Sequence, residues 1–142
     1  MATTVQDIFD MAMDLMDEQD ETTGSTETVD TKEYKLRTIS ILNAAIPALY
    51  PYSSNFDRTA PGRPAAPPLD AFDRKNPDFT QEIPLDDALC RGLLPFYLAS
   101  LLRSSEDTEF SMRMMTEYNN AFTLLRDKIP AEFEPIVSPY GF

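Results

Sequence analysis

At 142 residues the chain is about one domain long, enough for a single hydrophobic core and too short for a second full domain beside it. Its formal net charge of −12 argues against adhesion to nucleic-acid phosphates or anionic lipid, because both need lysine and arginine to displace counterions. The lack of histidine and the single cysteine, Cys90, remove the commonest general base, histidine-activated nucleophiles, histidine metal sites, and any disulfide or thiolate zinc site within one subunit.

The acidity is local. Residues 1 to 30 carry nine Asp or Glu and no Lys or Arg, whereas residues 31 to 142 carry fifteen acids and twelve bases. Thr4 and Asp7 stand at capping-box spacing, and Val5, Ile8, Phe9, Ala12, Leu15 and Met16 form an amphipathic stripe, so a first helix is expected to end near Glu18 to Glu21. Asp7, Asp10, Asp14 and Asp17 fall on its other face, a solvated acidic surface on the plainest reading. No basic leader opens the chain, and no apolar run reaches the roughly 18 residues of a membrane span, so a soluble, unsecreted protein is expected.

Asp20 to Asp30 (DETTGSTETVD) reads as a polar loop. Its acids lack the alternating spacing of a calcium loop, so no metal site is assigned there. Asp30 and Glu33 then mark a second helix start, followed by Tyr34, Leu36, Thr38, Ile39, Ile41, Leu42, Ala45, Ile46 and Leu49. These apolar positions cover more than one face, as in a helix packed between neighbours. Pro47 should kink or end that helix within a turn.

Eight of the twelve prolines lie between Pro47 and Pro84. Ser53 to Glu82 is consequently read as a long irregular insertion, with room for a short β-hairpin, carrying Phe56, Phe72 and Phe79 and the bases Arg58, Arg63, Arg74 and Lys75. Thirty residues without an element is well beyond the 12 to 15 or so usual in a compact domain, and such loops tend to be functional arms or disordered segments; the plainest reading is a surface loop whose arginines solvate it.

Ile83 to Lys128 reads as a helical hairpin. Leu85, Ala88, Leu89, Leu93, Phe96, Tyr97, Ser100 and Leu101 form the stripe of its first helix, with Gly92 and Pro95 predicting a kink near Arg91 to Leu94. Ser104 and Asp107 stand at capping-box spacing before a second helix with Phe110, Met114, Tyr118, Ala121, Phe122, Leu125 and Ile129 on one side. The tail from Pro130 holds Phe133, Ile136, Val137, Tyr140 and Phe142, apolar enough to lie on its own domain or on a neighbouring subunit. The expected fold is all-α: one domain over 1–142, a compact bundle of about four helices with a Pro-rich insertion between the second and third and an extended C-terminal tail.

No constellation points to catalysis. The four glycines are isolated, so no phosphate loop is present. Asp86-Asp87 opens a helix, where acids serve the dipole and the free N–H groups. Cys90 in its apolar context reads as a small hydrophobe, and the methionines as adaptable packing. No catalytic, cofactor or metal residue is assigned, and no enzyme activity is expected.

In order and character, VQDIFDMAMDLMDE, TKEYKLRTISILNAAIPALYP and IPLDDALCRGLLPFYLASLLRSSEDTEFSMRMMTEYNNAFTLLRDKIP resemble the head-to-tail connector, or adaptor, proteins of long-tailed bacteriophages. Leu85-Asp86-Asp87 opening a helix, and LLPFYLASLL before an acidic break, carry most of the likeness. The resemblance spans about residues 4 to 130 apart from most of the insertion. It implies a structural virion protein of the neck, assembled in the host cytoplasm into a homo-oligomeric ring, commonly of twelve subunits. Such a ring meets the portal protein on one side and tail or neck proteins on the other, and DNA passes through it without specific binding. Asp7, Asp10, Asp14 and Asp17 then become candidates for the lumen face, and Arg58, Arg63, Arg74, Phe133, Ile136, Val137, Tyr140 and Phe142 candidates for subunit or portal contacts. The alternative is a small acidic regulator or inhibitor that binds a basic partner.

Overall fold

The computed structural model describes residues 3–17, 31–53, 67–69 and 75–128. They form four α-helices: α1 (Val5–Met16), α2 (Lys32–Leu49), α3 (Asp87–Leu102) and α4 (Thr108–Lys128), with a 3-10 turn at Tyr50–Tyr52 continuing α2. Among the described residues there is no strand, only an antiparallel bridge between Thr4 and Glu82. The described part is therefore all-α, as the periodicity predicts. Most of the Pro-rich insertion, with any β-hairpin in it, and the tail from Ile129 lie outside the described residues.

The central element is α3, against which α1, α2 and α4 all pack. A helix so placed must be apolar on several faces. Cys90, Leu93, Leu94, Leu98, Ala99 and Leu102 are accordingly withdrawn from solvent, where a single stripe was expected. Ala88, assigned to that stripe, is exposed, and Phe96, Tyr97 and Leu101 are half-buried. Each fully buried leucine contributes about 1.5–3 kcal/mol of gross transfer free energy, which makes α3 the main source of cohesion. Gly92 and Pro95 lie within this one continuous helix.

The start of α1 is satisfied group by group. A helix leaves its first backbone N–H groups without intrahelical acceptors. Here Thr4 N–H donates to Asp7 Oδ2 (3.0 Å), Val5 N–H to Gln81 O (3.0 Å), Gln6 N–H to Phe79 O (2.9 Å) and Asp7 N–H to Thr4 Oγ1 (3.2 Å). The Thr4–Asp7 capping box is thus present, and two of the acceptors come from the end of the insertion. Thr3 adds a backbone bond from Ile83 N–H (2.9 Å) and donates its hydroxyl to Asp87 Oδ1 (2.6 Å), joining α1 to the start of α3. The helix ends at Met16, earlier than predicted, because Asp17 turns into the left-handed region (φ 58) as the cap. Met13, on the i+4 row from Phe9, is buried, whereas Leu15 is exposed.

The other helix boundaries also differ in detail. α2 begins at Lys32 after Thr31, which makes no side-chain cap bond, and Asp30 lies outside the described residues. Pro47 sits in the last turn of α2, exposed, and the helix stops two residues later, as expected. α4 is capped by Asp107, whose Oδ1 accepts from Phe110 N–H (3.0 Å). Ser104 instead donates to Leu101 O (3.0 Å) and belongs to the turn, so the Ser104–Asp107 box does not form.

Polar side chains fasten the helices where the apolar core thins. Ser100 Oγ donates to Ser111 O and Ser111 Oγ to Ser100 O, both at 2.8 Å, at the end of the α3–α4 contact near the turn. Arg37 reaches the C-terminal carbonyl of α3 at Leu102 O (2.8 Å), and Arg103 that of α1 at Met16 O (3.0 Å), each placing positive charge at the negative end of a helix dipole. Asn43 receives Leu69 N–H on Oδ1 (2.8 Å) and donates Nδ2 to Leu69 O (3.1 Å), so one residue of the insertion is pinned to α2 and buried.

Candidate interaction surfaces

Chemistry in this protein would have to begin with its titratable groups. Among the described residues no group of three or more Cys, Asp or Glu is placed to hold a metal ion. Cys90 is fully buried, and burial first, then the Asp87 and Asp86 charges, push its thiol up to about 12. It is a packed hydrophobe without usable thiolate. Asp87 is held below the ordinary carboxylate range, chiefly by the Thr3 hydroxyl. Tyr34 is pushed up by burial and by its hydrogen bond to Glu106 Oε2 (2.7 Å), a tie between α2 and the α3–α4 turn. These groups join elements together.

The four acids assigned to the outer face of α1 divide into two pairs. Asp7 is engaged by the N-terminal cap and lies 3.7 Å from Arg91, and Asp10 Oδ1 accepts from Gln6 Nε2 (2.8 Å). Asp14 and Asp17, at the C-terminal end, are exposed. An acidic surface therefore exists on α1, concentrated at one end. Arg58, Arg63, Arg74, Phe133, Ile136, Val137, Tyr140 and Phe142 all lie outside the described residues, and their assigned contacts with them.

The chain was compared with known families, curated proteins and solved structures. It matches none of them.

Two further surfaces emerge from the fold. Along one flank of the α3–α4 pair, Tyr52 meets Phe122 edge-on (centroids 5.2 Å), Phe122 stacks near Tyr118 (6.4 Å), and Tyr118 lies against Tyr97 (5.3 Å). All four rings are half-buried, and among the described side chains of α4 Met114 alone is buried. The aromatic positions Tyr97, Tyr118 and Phe122 were legible as helical stripes, but Tyr52 reaches them only through the 3-10 turn after α2.

The second surface went unnoticed in the sequence. An open cavity of about 410 Å³ is lined by Lys32, Lys35, Leu36, Lys75, Asn76 and Pro77. Three of the four lysines in the whole chain line it. Lys35 also holds its ammonium 5.0 Å from the centre of the Phe79 ring, which itself packs edge-on against Phe9 (5.2 Å) and so fixes that wall to the core. Leu36, one of the apolar positions of α2 expected to pack against neighbours, is 44% exposed. Its position was readable: it lies two residues from both Tyr34 and Thr38, off the row Tyr34, Thr38, Leu42, Ala45 and Leu49 that faces the core. The approach of Lys75 to α2 depends on the path of the insertion, for which a single sequence holds no signal.

Proposed function

We propose that the protein is a structural connector subunit of a tailed-phage neck, assembling into a ring between portal and tail. The observation that carries this reading is the use made of the polar groups. Caps, arginines, the Ser100–Ser111 pair, Asn43 and the Thr3–Asp87 bond all lock helices or loop ends in place, while the groups left outward are surfaces: an acidic helix end, an aromatic flank and a lysine-lined cavity. A rigid frame presenting several separate patches suits a subunit that must touch like neighbours and unlike partners at once. The segments behind the connector resemblance are α1, α2 and the α3–α4 hairpin, and these are the frame.

The acidity has a physical use in that setting. A channel wall bearing Asp14 and Asp17 from every subunit repels phosphate and lets DNA move without adhering. No helix among the described residues is long and apolar enough to cross a membrane. The second reading, an acidic regulator of a basic partner, draws on the same exposed acids and gives no role to the lysine cavity.

Size-exclusion chromatography with light scattering separates the two. The connector reading expects a ring, either from the protein alone or on addition of a portal. A stable one-to-one complex with a basic host protein, with no association with a portal, overturns it in favour of the regulator.

A further inference from the structure

In the lysine-lined cavity three bases converge on apolar side chains, in a chain that is otherwise strongly acidic. Leu36 and Pro77 supply the apolar lining, Lys32, Lys35 and Lys75 the charge, and Asn76 amide hydrogen-bonding capacity. An occupant that fits must bring an apolar side chain with carboxylates close beside it. Lysine ammonium groups at a half-open site gain most from carboxylates they can partly desolvate, and the apolar lining rewards a side chain that leaves water.

The chain itself contains such a segment. Residues 130–142 (PAEFEPIVSPYGF) place Phe133 directly between Glu132 and Glu134, followed by Ile136 and Val137, and include no Lys or Arg. We infer that the cavity is the docking site for the C-terminal segment of a second copy of the chain, with Phe133 entering between Leu36 and Pro77 and Glu132 and Glu134 meeting the lysines. This inference rests on the ring reading and deepens it by naming the two surfaces that join.

The ring reading calls for a repeated contact between copies, and the placement of elements accommodates one. The segment follows α4, which packs on α3, whereas the cavity is built by α2 and residues 75–77. Donor and acceptor surfaces thus differ, so the contact between copies is heterologous, and a heterologous contact generates a ring when its rotation closes. Fourteen residues follow Lys128, and when extended they span up to about 46 Å, enough to leave one subunit and cross onto the next.

The test is a charge swap in the full-length chain, read by sedimentation velocity over a concentration series, with far-UV circular dichroism confirming the fold of each variant. Lys32 and Lys75 are exposed, so Lys32→Glu with Lys75→Glu leaves the core intact. That pair, and separately Glu132→Lys with Glu134→Lys, is expected to weaken self-association by roughly tenfold or more, and raised salt is expected to weaken the wild type in the same direction. All four substitutions in one chain restore the opposite charges and are expected to recover assembly. Wild-type association in the lysine variant, or failure of the fourfold variant to recover, overturns the inference. Rings that persist through both swaps sink this contact and leave the ring reading standing. A wild type that remains monomeric, alone and with a portal, sinks both.

Discussion

Cys90 illustrates how burial decides the chemistry of a single side chain. It lies on α3 with no solvent exposure, its Sγ 3.6 Å from Leu85 O, and its thiol is pushed up to about 12. At pH 8 the thiolate, the reactive form, is therefore a negligible fraction. Ellman's reagent is expected to leave the native protein unmodified and to titrate one thiol per chain in denaturant; rapid reaction in native buffer would show that α3 opens. Asp87 is the opposite case, exposed but shifted by one neighbour. The Thr3 hydroxyl donates to its carboxylate and holds it below the usual range. A carboxyl whose folded value is depressed stabilises the fold above its unfolded value, about pH 3.9, and that contribution disappears as pH falls through the folded value. In Thr3→Val the Asp87 titration midpoint, followed by NMR, is expected to rise toward an ordinary aspartate. An unchanged midpoint would assign the shift to neighbouring positive charges, Arg91 among them.

At the scale of elements, the α3–α4 pair shows what was legible and what was not. The two helices, their antiparallel pairing and the Met114, Tyr118 and Leu125 row follow from a 3.6-residue period and a short acidic break. The cap was misassigned because Ser104 and Asp107 fit the box spacing, yet Asp107 by itself caps the free N–H of Phe110. Gly92 lies in the stretch of α3 where a kink is expected, and its surroundings show what glycine does there. A Cβ built there meets Leu125 Cδ1 at 3.6 Å, an ordinary van der Waals contact. No backbone conformation or clash requires glycine at this position, so its entropic cost in a helix is uncompensated. Gly92→Ala is expected to stabilise the fold by about 0.5–1 kcal/mol, visible as a higher urea midpoint at unchanged slope. A loss of stability would show that Leu125 cannot yield and that α3 and α4 are already at closest packing.

For the molecule as a whole, periodicity and capping made the all-α class and the central hairpin readable, because both are properties of neighbouring residues. The lysine cavity was not, because Lys75 joins Lys32 and Lys35 only through a path of chain that no local rule determines. The acidity lies between these cases: nine acids in the first thirty residues were plain, but only the fold divides the four on or next to α1 into Asp7 and Asp10, held by cap and neighbour, and Asp14 and Asp17, facing water. That division leads to a prediction about DNA. Retention of a duplex depends on cations replacing its counterions, and it declines steeply with salt in proportion to the number of phosphates neutralised. A protein of net charge −12, with three of its four lysines lining one cavity, is expected to leave duplex mobility unchanged in a gel-shift assay, even at low salt. Asp14→Lys with Asp17→Lys replaces two repelling charges with attracting ones at the exposed end of α1. If that end faces the channel, assembled rings of the variant should retain DNA at low salt and release it as salt rises, while the dispersed variant should not, because only the ring converges the charges on one duplex. DNA retention by the wild type would remove the acidic lumen from the connector reading. Indifference of the variant rings to DNA would place Asp14 and Asp17 on the outside of the ring.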